Sequence, residues 1–168
     1  MNVAGNHRYN GGFQTDGRNS RRMGCVYATL AVAALLIMTA TAHAAQRLAV
    51  NVPKANIRSG PGTQYEILWQ AERYYPVVVI QKKGQWVLFR DFENDEGWIK
   101  KNLLAKIPTV ITVKSECNIR SGPGTNFPIV FKTQDKGVPF KVLKTKGKWL
   151  QIQHADGDKG WIFKPLVW

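Results

Sequence analysis

The sequence predicts an all-β protein built from two copies of one small module. Two observations carry this. The eight residues Asn-Ile-Arg-Ser-Gly-Pro-Gly-Thr occur from Asn56 to Thr63 and again from Asn118 to Thr125. In both copies apolar residues recur at every second position, the period of a strand with one buried face. The repeat extends well beyond the octapeptide: Gly84-Gln-Trp86 matches Gly147-Lys-Trp149, Gly97-Trp98-Ile99 matches Gly160-Trp161-Ile162, and Leu103-Leu104 matches Leu166-Val167. The offset is 62 in the octapeptide and 63 afterwards, so one residue is inserted between Thr125 and Gly147. Self-similarity at constant spacing outranks local propensity as evidence of architecture.

The first 44 residues are of another kind. An apolar run from Cys25 to Met38 follows Arg18, Arg21 and Arg22 and precedes Ala42-His43-Ala44. A positive end, a short apolar core and small residues at a cleavage point describe a secretory signal peptide, with cleavage expected after Ala44. The run is shorter than the ~20 apolar residues of a membrane span, so a signal peptide only transiently in the membrane is expected, with an uncleaved membrane anchor as the alternative. Met1 and Met23 both stand as possible starts.

The modules are expected over residues 45–106 and 107–168. The alternating residues are Leu48, Val50, Val52, Ala55 and Ile57 in the first, and Ile111, Val113, Cys117 and Ile119 in the second. Ser-Gly-Pro-Gly-Thr reads as a fixed turn, with Pro61 or Pro123 presetting the backbone and Gly62 or Gly124 expected to supply a positive φ. Strands follow at Val77–Ile80 and Phe140–Leu143, then hairpins at Lys82–Gly84 and Lys144–Gly147. The next strands run Trp86–Phe89 and Trp149–Ile152. Asp156-Gly157 signals a tight hairpin, and Asn94 holds the equivalent place. No stretch after residue 44 shows a convincing helical period. The linker, Ala105 to Thr109 with Pro108, is too short to let the modules roam.

The octapeptide, Gly-x-Trp some twenty residues later, and Gly-Trp-Ile with its Leu-Leu close resemble the bacterial SH3-like (SH3b) domain, in both repeats. The resemblance implies two tandem small β-barrels of five to six strands, found in exported bacterial proteins, often beside cell-wall hydrolases, where they bind peptidoglycan. It implies no activity of its own.

Charge narrows the partners. Four of the 24 Lys and Arg and one of the 11 Asp and Glu lie in residues 1–44, leaving a net charge of +10. An exported basic protein meets anionic envelope polymers and lipid headgroups rather than chromosomes, so nucleic acid is not an expected partner. Residues 110–168 carry ten basic against four acidic side chains, and residues 48–104 carry eight against six. The second repeat is the more cationic. With Cys25 removed, Cys117 has no intramolecular partner and no disulfide framework supports the modules. At about 60 residues each lies near the lower limit for an unstapled domain, so the two are expected to pack partly on each other.

The candidate site is one shallow aromatic groove per repeat. Trp149 shares a strand face with Gln151 and Gln153, opposite Leu150 and Ile152. Trp86 shares its face with Leu88 and Arg90, opposite Val87 and Phe89. A tryptophan on a polar face is free to stack on sugar rings or peptide stems while its N–H bonds a carbonyl. The grooves expected are Trp86, Trp98 and Tyr65 in the first repeat, and Trp149, Trp161 and Phe127 in the second. A purely structural role, with the rings packed on the turn, stays open. Arg58 and Arg120, opposite Ile57 and Ile119, either hold an acidic ligand group or brace the turn through its carbonyls. Lys141, Lys144, Lys146 and Lys148 surround the second hairpin, either as a solvated tip or as a salt-sensitive landing site for phosphate or carboxylate polymers.

Catalysis would require Cys117 and His154 to converge with an orienting group. Cys117 aligns with Ala55 on the inward face, a small buried position, so no catalytic residue, metal or cofactor is expected. Asp91, Glu93, Asp95 and Glu96 read as a solvated hairpin. The expectation is an exported, non-enzymatic tandem protein of the periplasm or cell surface. It binds peptidoglycan or another anionic envelope polymer through two weak, linked sites. The alternative is an adaptor that docks an envelope protein along a barrel edge.

Overall fold

The computed structural model describes residues 46–168, so the expected signal peptide and its cleavage point lie outside the described residues. Two antiparallel sheets follow one another. The first contains β1 (Arg47–Val50), β2 (Lys54–Arg58), β3 (Ile67–Glu72), β4 (Pro76–Lys83), β5 (Trp86–Arg90), β6 (Glu96–Lys100) and β7 (Leu104–Ala105). Their order is β3-β2-β6-β5-β4-β1-β7. The second contains β8 (Thr109–Ile111), β9 (Asn118–Arg120), β10 (Ile129–Lys132), β11 (Pro139–Lys146), β12 (Trp149–Gln153) and β13 (Lys159–Phe163). Their order, β10-β9-β13-β12-β11-β8, repeats the first without β7.

Each sheet curls around its own core without closing, a correction to the barrels expected. β3 and β10 are free edges, and the opposite ends are β7, of two residues, and β8, of three. Single-turn 3₁₀ helices at Lys101–Leu103 and Lys164–Leu166 use up the chain that would otherwise extend the last strand. In the second module that strand is reduced to one bridge, Thr112 to Val167.

The period-two pattern places the cores. Ile57, Val87, Phe89 and Ile99 are fully buried in the first module, and Ile119, Phe140, Ile152 and Ile162 occupy the second. Val113 departs from the pattern. It is exposed, while Thr112 is buried, accepting a hydrogen bond from the Val138 N–H and donating to the Asp135 carbonyl. β8 ends at Ile111, so the alternation stops one residue early.

Both expected hairpins are two-residue turns, because Lys83 pairs with Trp86 and Lys146 with Trp149. Gly84 and Gly147 open them, each at φ +58°. A glycine at the first turn position matches the twist of the flanking strands. Asn94 and Gly157 adopt φ +70° and +107°, as their shared place requires. Gly62 and Gly124 do not, since neither is among the positive-φ residues. The glycines of the octapeptide serve close approach instead. A Cβ on Gly60 would meet the Tyr65 ring at 2.3 Å, and one on Gly122 would meet the Phe127 ring at 2.3 Å.

Candidate binding clefts

Each module carries a cleft on the solvent side of its sheet, at matching positions. In the first, Lys54, Asn56 and Arg58 of β2, Thr63 of the repeated loop, Trp86 of β5, Lys100 of β6 and Leu103 line the walls. In the second, Asn118, Arg120, Thr125, Trp149, Phe163 and Leu166 take the same places. The volumes differ, at about 210 Å³ in the first and 440 Å³ in the second. Alternation makes the outer face: Trp86 and Trp149 are half-buried while their strand neighbours Val87 and Leu150 are buried.

The arginines of the octapeptide brace the loop. Arg58 Nη1 donates to the carbonyls of Thr63 at 3.0 Å and Tyr65 at 2.7 Å, and Arg120 Nη1 donates to that of Phe127 at 2.8 Å. Because both also line their clefts, one side chain fixes the loop and presents its charge at the same wall.

The expected grooves divide. Trp86 and Trp149 line the clefts. Trp98 and Trp161 stand on the same outer face, opposite Arg58 and Arg120 respectively, but outside the cleft walls. Tyr65 and Phe127 lie over Gly60 and Gly122 and stay part-exposed, away from the walls. In their place the structure brings in Asn56, Lys100 and Leu103, with Asn118, Phe163 and Leu166. The identity of Asn56 with Asn118 and Leu103 with Leu166 at repeat spacing was the available signal.

The lysines of the second hairpin join the aromatic face. Lys146 stands opposite Trp149, Lys144 opposite Gln151 and Lys141 opposite Gln153, and residues directly opposite in a ladder share a face. Simple alternation would separate Lys141 from Lys144. A bulge between Val142 and Lys144 reunites them and leaves Leu143 exposed, as the matching bulge leaves Ile80. Lys148 sits in the turn.

Cys117, His154 and Asp91 have structural partners. Cys117 is buried, its Sγ donating to the Lys114 carbonyl at 3.2 Å. His154 instead pairs with Asp156 at 2.9 Å. The Asp158 N–H, and then His154, hold the Asp156 carboxyl below its usual range. The acidic hairpin is only partly the solvated loop expected. Asp91 is buried, accepting from Tyr75 Oη at 2.7 Å and from the N–H groups of Glu93 and Asp95. Burial first, and then that bond, push the Tyr75 phenol well above its ordinary range. Glu93 pairs with Lys136 of the second module at 2.6 Å.

Fold and clefts together define a tandem of small, open all-β modules of SH3-like build. The chain belongs to the bacterial SH3 domain family, whose sequence model matches residues 51–106 and again 113–168. Among curated proteins it is similar to a putative N-acetylmuramoyl-L-alanine amidase, YrvJ, of Bacillus subtilis. That match is 25% identical over 123 residues, covering 67% of this chain and 23% of the relative. It is also similar to a probable cell wall amidase, LytH, of Staphylococcus epidermidis, at 40% identity over 53 residues, 31% of this chain and 18% of that protein. The chain thus spans less than a quarter of either relative. Among solved structures, NlpC1 from Trichomonas vaginalis aligns with a TM-score of 0.34 and 16% identity, over 77% of this chain and 47% of that one.

Proposed function

We propose that this is an exported, non-catalytic protein that binds a polymer of the cell envelope, peptidoglycan above all, through the two clefts. The observation that carries the reading is the repeated constellation of a tryptophan, a loop-bracing arginine and an asparagine at both clefts. An indole face suits a sugar ring or a peptide stem, and the asparagine and arginine offer hydrogen bonds to its amides. The naming of two relatives as wall amidases supports the same reading, as the shared part is the SH3-like region. Two modest sites on one chain bind a repeating polymer more tightly than either alone. The basic face of Lys141, Lys144 and Lys146, with Lys148 in the adjoining turn, adds attraction to anionic polymers.

The test is co-sedimentation with purified peptidoglycan across a salt series, for the protein and its Trp86→Ala and Trp149→Ala variants. Binding that survives salt and weakens in both variants is expected. Binding that ignores the tryptophans sinks the cleft model.

A second reading, an adaptor for another envelope protein, is favoured by one observation. The free edges β3 and β10 carry exposed Ile67 and Leu68, and Ile129 and Val130. An extended partner segment adds to such an edge. Saturable binding to a single protein, unaffected by the tryptophan variants, would favour it.

A further inference from the structure

The two clefts match in place but differ in chemistry at one decisive position. Opposite Trp86 across the β5–β6 ladder stands Lys100; opposite Trp149 across β12–β13 stands Phe163. Trp149 and Phe163 form an aromatic pair with centroids 5.4 Å apart, inclined at 50°. The first cleft also takes in Lys54, whose counterpart by repeat spacing is Glu116. Glu116 lies before β9 at φ +54° and outside the second cleft. The first cleft therefore gathers Lys54, Arg58 and Lys100, whereas Arg120 is the one cation lining the second. None of the three ammonium or guanidinium groups forms an ion pair with a carboxylate among the described residues, Glu72 opposite Lys54 included. This reverses the ranking by net charge, since the second repeat is the more basic but carries its lysines beside the cleft.

Resting on the envelope-polymer reading above, we propose that the first cleft is an anion-reading subsite that takes a carboxylate or phosphate oxygen group of the polymer. The second takes an uncharged ring or acyl group. Three cations lining a small cleft can give an anionic oxygen charge-assisted hydrogen bonds, with the Trp86 face covering the adjoining apolar part. Twice the volume and two packed aromatic rings give the second cleft stacking area and little charge. The pair reads two features of one repeating unit rather than the same feature twice.

Nuclear magnetic resonance on the protein separates the clefts, because the indole N–H signals of Trp86 and Trp149 report each one. The probes are a soluble muropeptide with free carboxylates, the same muropeptide fully amidated, and glycerol phosphate. The Trp86 signal is expected to titrate with the free acid at about tenfold or greater affinity over the amidated form, the worth of one charge-assisted bond. The Trp149 signal is expected to respond to both alike. Lys100→Phe removes the preference and Phe163→Lys installs it in the second cleft. Each variant carries the residue its sister module already tolerates at the end of the same strand. Glycerol phosphate binding at Trp86 more tightly than the muropeptide assigns the anion to a phosphate group; weaker binding assigns it to a carboxylate. If both indoles respond to both muropeptides alike, or Lys100→Phe leaves the preference in place, this inference falls and wall binding stands. If neither indole responds to any muropeptide, both readings fall.

Discussion

The guanidinium carbon of Arg47 lies 3.8 Å from the centroid of the Trp168 ring, and Nη2 of the same arginine donates to the Trp168 backbone oxygen at 2.8 Å. Arg47 opens β1 of the first module. Trp168 is held to the second, exchanging two backbone hydrogen bonds with Ile111. One side chain thus joins the modules by stacking and by hydrogen bonding at once. Arg47→Ala should lower the stability of the tandem by about 1 kcal/mol, the scale of a partly shielded cation–π contact. Urea unfolding followed by tryptophan fluorescence measures this. Lys136→Ala, which cuts the exposed pair with Glu93, should move the midpoint less.

Tyr65 over Gly60, and Phe127 over Gly122, make two glycines intolerant of any side chain. Gly60→Ala forces the ring off its seat and should cost about 1–3 kcal/mol, the range of an overpacked site. Gly84→Ala meets nothing within 4 Å and suffers only from φ +58°, so about 1 kcal/mol is expected. Adding Tyr65→Ala to Gly60→Ala should recover part of the loss, while adding it to Gly84→Ala should not. A double-mutant cycle from denaturant midpoints separates the two causes.

The Tyr75–Asp91 bond predicts an alkaline limit. The folded phenol keeps its proton to a pH well above the ordinary value of 10.0, while the unfolded phenol releases it there. A group whose pKa is raised on folding contributes stability that is full below the unfolded pKa and declines as pH rises beyond it. Stability should therefore hold to about pH 10 and fall above. Tyr75→Phe should start lower, having left the buried Asp91 one donor short, and should show a flatter decline. Denaturant midpoints between pH 8 and pH 11.5 compare the two; parallel curves would contradict the assignment.

Arg58 closes its loop with two carbonyl bonds and Arg120 with one. Arg58→Ala should cost about 1–2 kcal/mol, from loss of hydrogen bonds donated by a charged group. Amide exchange from Ser59 to Glu66 should accelerate. The equivalent loss at Arg120 should be smaller. Because Arg58 also lines the cleft, binding at Trp86 should weaken with it, so exchange rates and affinity should change together.

Much of the fold was legible in the chain because its signals are local. Period two put Ile57, Val87 and Phe89 inward, and Gly84, Gly147 and Gly157 marked turns that only a positive φ completes. Of the site, alternation alone placed Trp86 and Trp149 on the outer face. The octapeptide glycines share one sequence signature but not one role: Gly62 and Gly124 turn without a positive φ, and the ring that needs Gly60 bare is found five residues away at Tyr65. Val113 was misread because a strand's end is set by its partners.

The sequence by itself determined that two equivalent all-β modules follow one another, which residues of the central strands face each core, and where the two-residue hairpins turn. These depend on spacing along the chain, which is visible in it. Only the tertiary structure decided which side chains stand together across strands: Lys100 beside Trp86, Phe163 beside Trp149, Lys141 returned to the face of Lys144 by a bulge, and Arg47 stacked on Trp168. Cross-strand neighbours depend on register, and register comes from non-local hydrogen bonds and core packing, where one bulged residue changes every partner beyond it.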